Sequence, residues 1–189
     1  MPLRIIGGEY RSRLIQMPKG VEIRPTQDRV REAVFNVLGD INTRSVLDFF
    51  AGSGAFGIEA LSRGASRATF VDNNSKCTDI IKANLESLNI EEYQYDVIRA
   101  NALSVFTRLV KEEEMFDIVF LDPPYYKDLA KKCLICLDYY DILSPNALVV
   151  VEHFKKDIVP EDTERLALSR RLNYGDTTIS IYKGKEKYD

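Results

Sequence analysis

The sequence predicts an α/β fold with a mostly parallel sheet, and three observations carry that expectation. From residue 45 onward, strand-length apolar runs alternate with helix-length segments, the pattern of a parallel sheet covered on both faces. A glycine turn, Gly52-Ser53-Gly54, follows the first of those runs directly. The last two runs, 165–172 and 177–183, are separated only by residues 173–176, too few for a helix and suited to an antiparallel hairpin.

Before the alternation begins, residues 3–6 and 10–16 around Gly7-Gly8 read as two short strands joined by a glycine turn, and Met17-Pro18-Lys19-Gly20 ends them. A helix follows. Thr26 stands at the N-cap position, and Val30, Ala33, Val34, Val37 and Leu38 recur on one face until Gly39 stops it. The alternation then gives a strand at 45–49, a helix at 56–63 ended by Gly64, a strand at 67–72 and a helix at 75–88. Next come a strand at 93–100, a helical turn or two around 103–110, a strand at 116–121, a helix at 128–140 and a strand at 147–152. With the C-terminal pair the body has seven strands. The expected organisation is a small N-terminal β-hairpin appendage, residues 1–22, on one α/β domain, residues 23–189.

Composition narrows the class. The chain is 45% hydrophobic and 29% charged, ordinary for a globular core. No apolar run approaches the ~18 residues of a membrane span, and Met1-Pro2-Leu3-Arg4 leads into glycines and a glutamate rather than a signal sequence. A cytoplasmic address without membrane association is expected. Cys77, Cys133 and Cys136 are odd in number, and Cys133-Leu134-Ile135-Cys136 has neither a second pair nor nearby histidines to complete a zinc set. Inert thiols and no metal are the expectation. His153, the one histidine, is expected near the surface at the end of the fifth strand, without a catalytic role. The net charge is −3, but residues 1–36 hold seven Arg or Lys against four Asp or Glu, so that stretch carries +3 and the remainder −6. A basic arm on an acidic body suits local phosphate contact, and a solvated charged face would look the same.

Two motifs carry chemistry. The first is Asp48-Phe49-Phe50-Ala51-Gly52-Ser53-Gly54-Ala55-Phe56-Gly57. Glycines at the carboxyl end of a strand let a ligand approach the backbone, and the following helix directs free N–H groups to the same place. Gly52, Gly54 and Gly57 satisfy GxGxxG, so a nicotinamide-dependent oxidoreductase belongs among the candidates. Asp48, at the strand end four residues before the first glycine, makes the run resemble motif I of the S-adenosylmethionine enzymes more than a pyrophosphate turn. That resemblance implies a cofactor site of Asp48, Phe50, Ala51, Gly52, Ser53 and Gly54, with Asp48 accepting from the methionine ammonium. Asp72 closes the second strand, where a carboxylate binds ribose hydroxyls in either family, with Asn73 beside it. Asn101-Ala102, after the third strand, would lie against the adenine.

The second motif is Asp122-Pro123-Pro124-Tyr125, immediately after the apolar run 116–121. Ligands of open α/β sheets bind beyond the carboxyl ends of the strands, so both motifs are expected on one rim. Two prolines stiffen the loop and leave carbonyls free to accept, and the tyrosine offers a stacking face to a planar base. An exocyclic base amine is a poor nucleophile because its lone pair is delocalised into the ring. A carboxylate and a carbonyl that accept its two N–H bonds favour a tetrahedral nitrogen. Positioning of this kind supplies ~7–11 kcal/mol, against at most ~10²–10⁴-fold from proton abstraction. The catalytic set is therefore Asp122, Pro123 and Tyr125, with Asp122 chiefly an orienting acceptor.

The run Arg4-Ile5-Ile6-Gly7-Gly8-Glu9-Tyr10-Arg11-Ser12-Arg13, then Arg24-Pro25-Thr26-Gln27-Asp28-Arg29-Val30-Arg31-Glu32 with Phe35-Asn36, resembles the RsmD-like bacterial 16S rRNA guanine-N2 methyltransferases. Glu59-Ala60-Leu61-Ser62-Arg63-Gly64-Ala65 and Tyr174-Gly175-Asp176-Thr177 fit as well, so the likeness spans nearly the whole chain. It implies a class I (Rossmann-like) methyltransferase fold using S-adenosyl-L-methionine and releasing S-adenosyl-L-homocysteine. It also implies a monomer acting on a guanine of 16S rRNA within the small ribosomal subunit or its assembly intermediate. Arg11, Arg13, Arg24, Arg29 and Arg31 become candidate phosphate contacts, some of which can instead pair with Asp28 or Glu32. The acidic body implies recruitment that does not rest on RNA charge alone. A DNA amino-methyltransferase with the same loop is the main alternative, although such enzymes usually carry a target-recognition region for which this chain has no spare length. A catalytically silent RNA-binding relative is the remaining one.

Overall fold

The computed structural model describes residues 2–21, 26–124 and 128–185. The chain forms two compact units, Met1–Asn101 and Ala102–Asp189.

The first unit opens with β1 (Leu3–Arg4) and β2 (Leu14–Ile15), paired antiparallel, followed by α1 (Asp28–Leu38). Then come β3 (Ser45–Phe49), α2 (Ala55–Ser62), β4 (Arg67–Asp72), α3 (Ser75–Ser87), a 3₁₀ turn at Glu92–Gln94 and β5 (Tyr95–Arg99). These three strands lie parallel in the order β5-β4-β3. Val46, Leu47, Phe49, Phe70 and Val71 are fully enclosed on them, and α2 adds Ile58 and Ala60. Gly57 lets α2 approach that closely: a Cβ there would stand 2.2 Å from the Phe70 ring.

Strands 45–49 and 67–72 match expectation, whereas the N-terminal hairpin is shorter than the expected 3–6 and 10–16. Its amides have other acceptors. Ile6 and Gly7 N–H donate to the Glu59 carboxylate, both at 2.8 Å, Glu9 N–H donates to the Ser62 carbonyl at 2.7 Å and Tyr10 N–H to Ser62 Oγ at 3.0 Å. Once α2 takes these donors, few remain for a ladder. The hairpin is thus fastened into the first unit. Helix α1 starts later than expected: Gln27 occupies the N-cap without a side-chain bond, and Asp28 places its charge in the first turn.

The second unit contains α4 (Phe106–Lys111), β6 (Phe116–Leu121), α5 (Leu129–Tyr139), β7 (Leu143–Phe154), β8 (Leu166–Tyr174) and β9 (Thr177–Gly184). Its strands run β6-β7-β9-β8, with β6–β7 parallel and the other pairs antiparallel. β7 is twelve residues long, beyond the expected 147–152, because Leu143 already pairs with Phe116 at its start and His153 and Phe154 go on pairing with Thr178 and Thr177 at its end. The turn expected at 173–176 narrows to Gly175-Asp176, since Asn173 and Tyr174 pair with Thr178 and Thr177. Gly175, at φ 62°, supplies the positive φ such a two-residue turn requires. The seven strands expected for the body, β3 to β9, are all present, and each unit repeats the corresponding half of the class I order. Among the described residues no helix is long and apolar enough to cross a membrane.

Candidate active site

In the first unit the carboxyl ends of three parallel strands carry most of the residues expected to hold the cofactor. Phe50 and Ala51 follow β3, Asp72 ends β4 with Asn73 directly after it, and Asn101 lies two residues beyond β5. The loop after β3 turns sharply, with positive φ at Phe50 (58°), Gly52 (57°) and Gly54 (80°). Phe50 is the costly member, because a side chain is held in left-handed backbone there.

A hydrogen-bond set fixes the loop. Gly52 N–H donates to Asp72 Oδ2 at 3.0 Å, Ala51 N–H to the Val71 carbonyl at 3.1 Å and Gly54 N–H to the Ala51 carbonyl at 2.7 Å. Asp72 Oδ1 accepts Asn74 N–H at 2.8 Å. A carboxylate has about four lone-pair positions, so Asp72 shapes the loop and retains acceptor capacity. Ser53 is buried, its carbonyl accepting from Asn84 Nδ2 at 3.1 Å. Asn73 and Asn101 are exposed, and Ala102 is buried at the start of the second unit.

Asp48 is 3% exposed, and its side-chain Oδ2 accepts Gly57 N–H at 2.9 Å. Burial pushes its carboxyl up from 3.8 to about 8, against the pull of the Gly57 N–H and with the Asp72 charge adding to the rise. The native state therefore holds a proton that the unfolded chain has released, so Asp48 contributes stability at acid pH that is lost as pH rises from about 4 through about 8. Asp48→Asn keeps the acceptor for Gly57 and cannot ionise. We expect a higher melting temperature than the parent at pH 7–8 and a flatter stability profile below it; parallel profiles for the two proteins would show Asp48 already charged.

Two supporting residues escaped sequence reasoning. Asn84 sits on the buried face of α3, 2% exposed, with Oδ1 accepting Gln16 N–H at 2.8 Å and Nδ2 donating to the Gln16 and Ser53 carbonyls. Glu59, 1% exposed, receives the two hairpin amides and pairs with Arg63 Nε at 2.8 Å. The signal was a polar residue on an apolar helix face: Asn84 falls between Ile81 and Leu85, and Glu59 between Ile58 and Ala60.

The candidate phosphate contacts separate by environment. Arg11 and Arg13 are exposed on the hairpin, Arg13 donating to the Ser87 carbonyl at 3.0 Å, and Arg29 is exposed on α1. Arg31 is 1% exposed, donates to the Arg4 carbonyl and pairs with Asp28 at 3.0 Å. Burial lowers its pKa. Enclosed in this way, it ties α1 to β1 and does not present its charge to a polyanion. Arg24 lies outside the described residues.

In the second unit Asp122-Pro123-Pro124 follows β6, with Asp122 half-buried, Pro123 buried and Pro124 exposed. Tyr125 lies outside the described residues. A cleft beside the loop is lined by Pro123, Pro124, Lys131, His153, Asp157 and Ile158. His153 is buried, a correction to its expected surface position: β7 continues past it, Nδ1 lies 3.0 Å from the Phe154 carbonyl, and Nε2 lies 2.9 Å from Ser180 Oγ. A carbonyl can only accept, so Nδ1 carries the proton and Nε2 accepts from Ser180. Burial lowers the His153 pKa, which keeps it neutral and structural. The thiols of Cys77 and Cys133 are pushed up to about 12 by burial, and among the described residues no cluster could hold a metal.

The family model described as conserved hypothetical protein 95 matches residues 3–183. The ribosomal RNA small subunit methyltransferase D of Haemophilus influenzae is 39% identical over 182 residues, 96% of this chain and 93% of that protein. The protein of the same name from Escherichia coli strain K12 is 34% identical, covering 96% of this chain and 89% of that one. The solved structure of the Escherichia coli protein yhhF superposes with a TM-score of 0.84 at 33% identity, over 99% of this chain and all of that one.

Proposed function

Because this chain belongs to the family of ribosomal RNA small subunit methyltransferase D, we propose that it transfers a methyl group from S-adenosyl-L-methionine to the exocyclic N2 of a guanine in 16S rRNA. The acceptor RNA lies within the small ribosomal subunit or its assembly intermediate. The observation that carries the acceptor class is Asp122-Pro123-Pro124 at the carboxyl end of β6, a half-buried carboxylate followed by proline carbonyls.

The residues of the first unit suit the cofactor. Asp48 holds a buried carboxyl whose ionised form the methionine ammonium would favour, and Gly52 and Gly54 keep the β3–α2 turn open. A Cβ at Gly54 would press on Ile58, Ile81 and Phe70 at 3.2–3.3 Å. Asp72 would take the ribose hydroxyls, and Phe50, Ala51, Ser53, Asn73, Asn101 and Ala102 would border the remainder. When bound, the group supplies an electrophilic methyl on a sulfonium and departs as S-adenosyl-L-homocysteine. Asp122 and the Pro123 carbonyl accept the two amine N–H bonds, which frees the nitrogen lone pair and fixes its direction. Asp122 then receives the proton released as the nitrogen–carbon bond forms. Tyr125 stacks on the base, and Arg11, Arg13, Arg24 and Arg29 contact the RNA backbone.

The test is a labelled methyl-transfer assay on small ribosomal subunits that lack the modification, followed by nucleoside mapping. N2-methylguanosine at one 16S position is expected, with none formed on duplex DNA. Methylation of adenine N6 or cytosine N4 in DNA would replace this reading with the alternative acceptor.

A further inference from the structure

A base in stacked or paired RNA does not expose its amine to an enclosed site. It must be turned out of the stack, and the gap left behind favours an apolar side chain that fills it. Such a wedge has to be apolar, exposed, held firmly and close to the acceptor loop. Ile158 meets each condition. It is 86% exposed, the highest value among the exposed large hydrophobic residues described. It borders the same cleft as Pro123 and Pro124.

Its mounting is rigid on both sides. Asp157 N–H donates to the Phe154 carbonyl at 2.9 Å while Asp157 Oδ2 accepts Phe154 N–H at 3.2 Å, closing a turn immediately before Ile158. On the other side Val159 is buried, and Tyr182 O–H donates to the Pro160 carbonyl at 2.7 Å. The loop therefore presents Ile158 to solvent by construction.

We propose that RNA lies across the rim of this cleft, with Ile158 as a wedge in the stacking place the turned-out base leaves. The inference rests on the base-methylation reading and adds residues to it. The charges around the cleft fit one orientation. Lys131 on its wall and Lys156 on the loop are exposed cations for the flanking phosphates. Asp128 and Asp157 also line it, and carboxylates repel a phosphate there but accept from a ribose 2′-hydroxyl or a base N–H. The phosphates thus face the lysines, while a ribose or base edge faces the carboxylates along the rim.

Two variants of the whole protein test this on small subunits lacking the modification. Ile158→Ser should lower kcat/KM by roughly tenfold or more, with melting temperature and adenosylhomocysteine affinity unchanged, and Ile158→Leu should restore most of the loss. Unchanged kcat/KM in Ile158→Ser would overturn the wedge. Lys156→p-benzoylphenylalanine, irradiated on the subunit, should crosslink within a few nucleotides of the methylated position. A crosslink to a ribosomal protein, to a second copy of this chain or to distant RNA would also overturn it. If the unaltered protein methylates no RNA, the underlying function fails and the wedge with it; if methylation proceeds but the variants behave like the parent, only the wedge fails.

Discussion

Asp122→Ala should bind adenosylhomocysteine within about threefold of the parent while methyl transfer to rRNA falls by roughly 10³-fold or more. The separation follows from where the residues lie. Asp122 follows β6 in the second unit, and the residues expected at the cofactor, apart from Ala102, belong to the first. Removing the carboxylate deletes one of the two acceptors proposed for the amine and the proposed destination of its proton, while the β3–α2 turn keeps its own residues. Asp122→Asn is the informative companion, because it retains one acceptor oxygen but is a far weaker base. A partial recovery there would assign most of the effect to orientation, whereas equal losses would assign it to proton removal. Calorimetry and single-turnover transfer on the same preparations provide the two readouts. Parallel loss of affinity and turnover would make Asp122 a structural residue.

Gly52→Val should act on the other quantity, reducing adenosylhomocysteine affinity by about 100-fold. Gly52 sits at φ 57°, and its N–H donates to Asp72 at 3.0 Å. A β-branched residue held there is strained by about 1–3 kcal/mol, so the loop relaxes by rotating that N–H away from Asp72. One change then disturbs both the turn and the carboxylate meant for the ribose. A strain of that size corresponds to a shift of up to about two orders of magnitude in binding. Retained affinity in Gly52→Val would place the cofactor elsewhere.

The alternation of apolar runs and helices was legible because parallel strands such as 45–49, 67–72 and 116–121 are largely buried on both faces and so read as mostly apolar runs. The two loops were legible for a similar reason: glycines and prolines restrict backbone, so the sequence itself records the turns. What stayed hidden depended on partners far along the chain. The hairpin strands shrank because their amides went to Glu59 and Ser62, more than fifty positions away. His153 reads locally as a strand end and became interior only because β9 extends far enough to cover it. Arg31 carries the same charge as Arg29 two residues before it, and only helical phase and the position of Arg4 decide which is enclosed.

The links between Asn84 and Gln16, and between Glu59 and the Ile6–Gly7 amides, bear on how the chain is made. The segment 6–16 has nowhere to settle until α2 and then α3 exist, since its partners Glu59 and Asn84 come 53 and 68 residues after Ile6 and Gln16. At about 5–20 residues per second, it waits several seconds before its last anchor is even translated. Residues 6–16 are thus tethered only once α3 has been translated, and until then they stay open to chaperones and proteases.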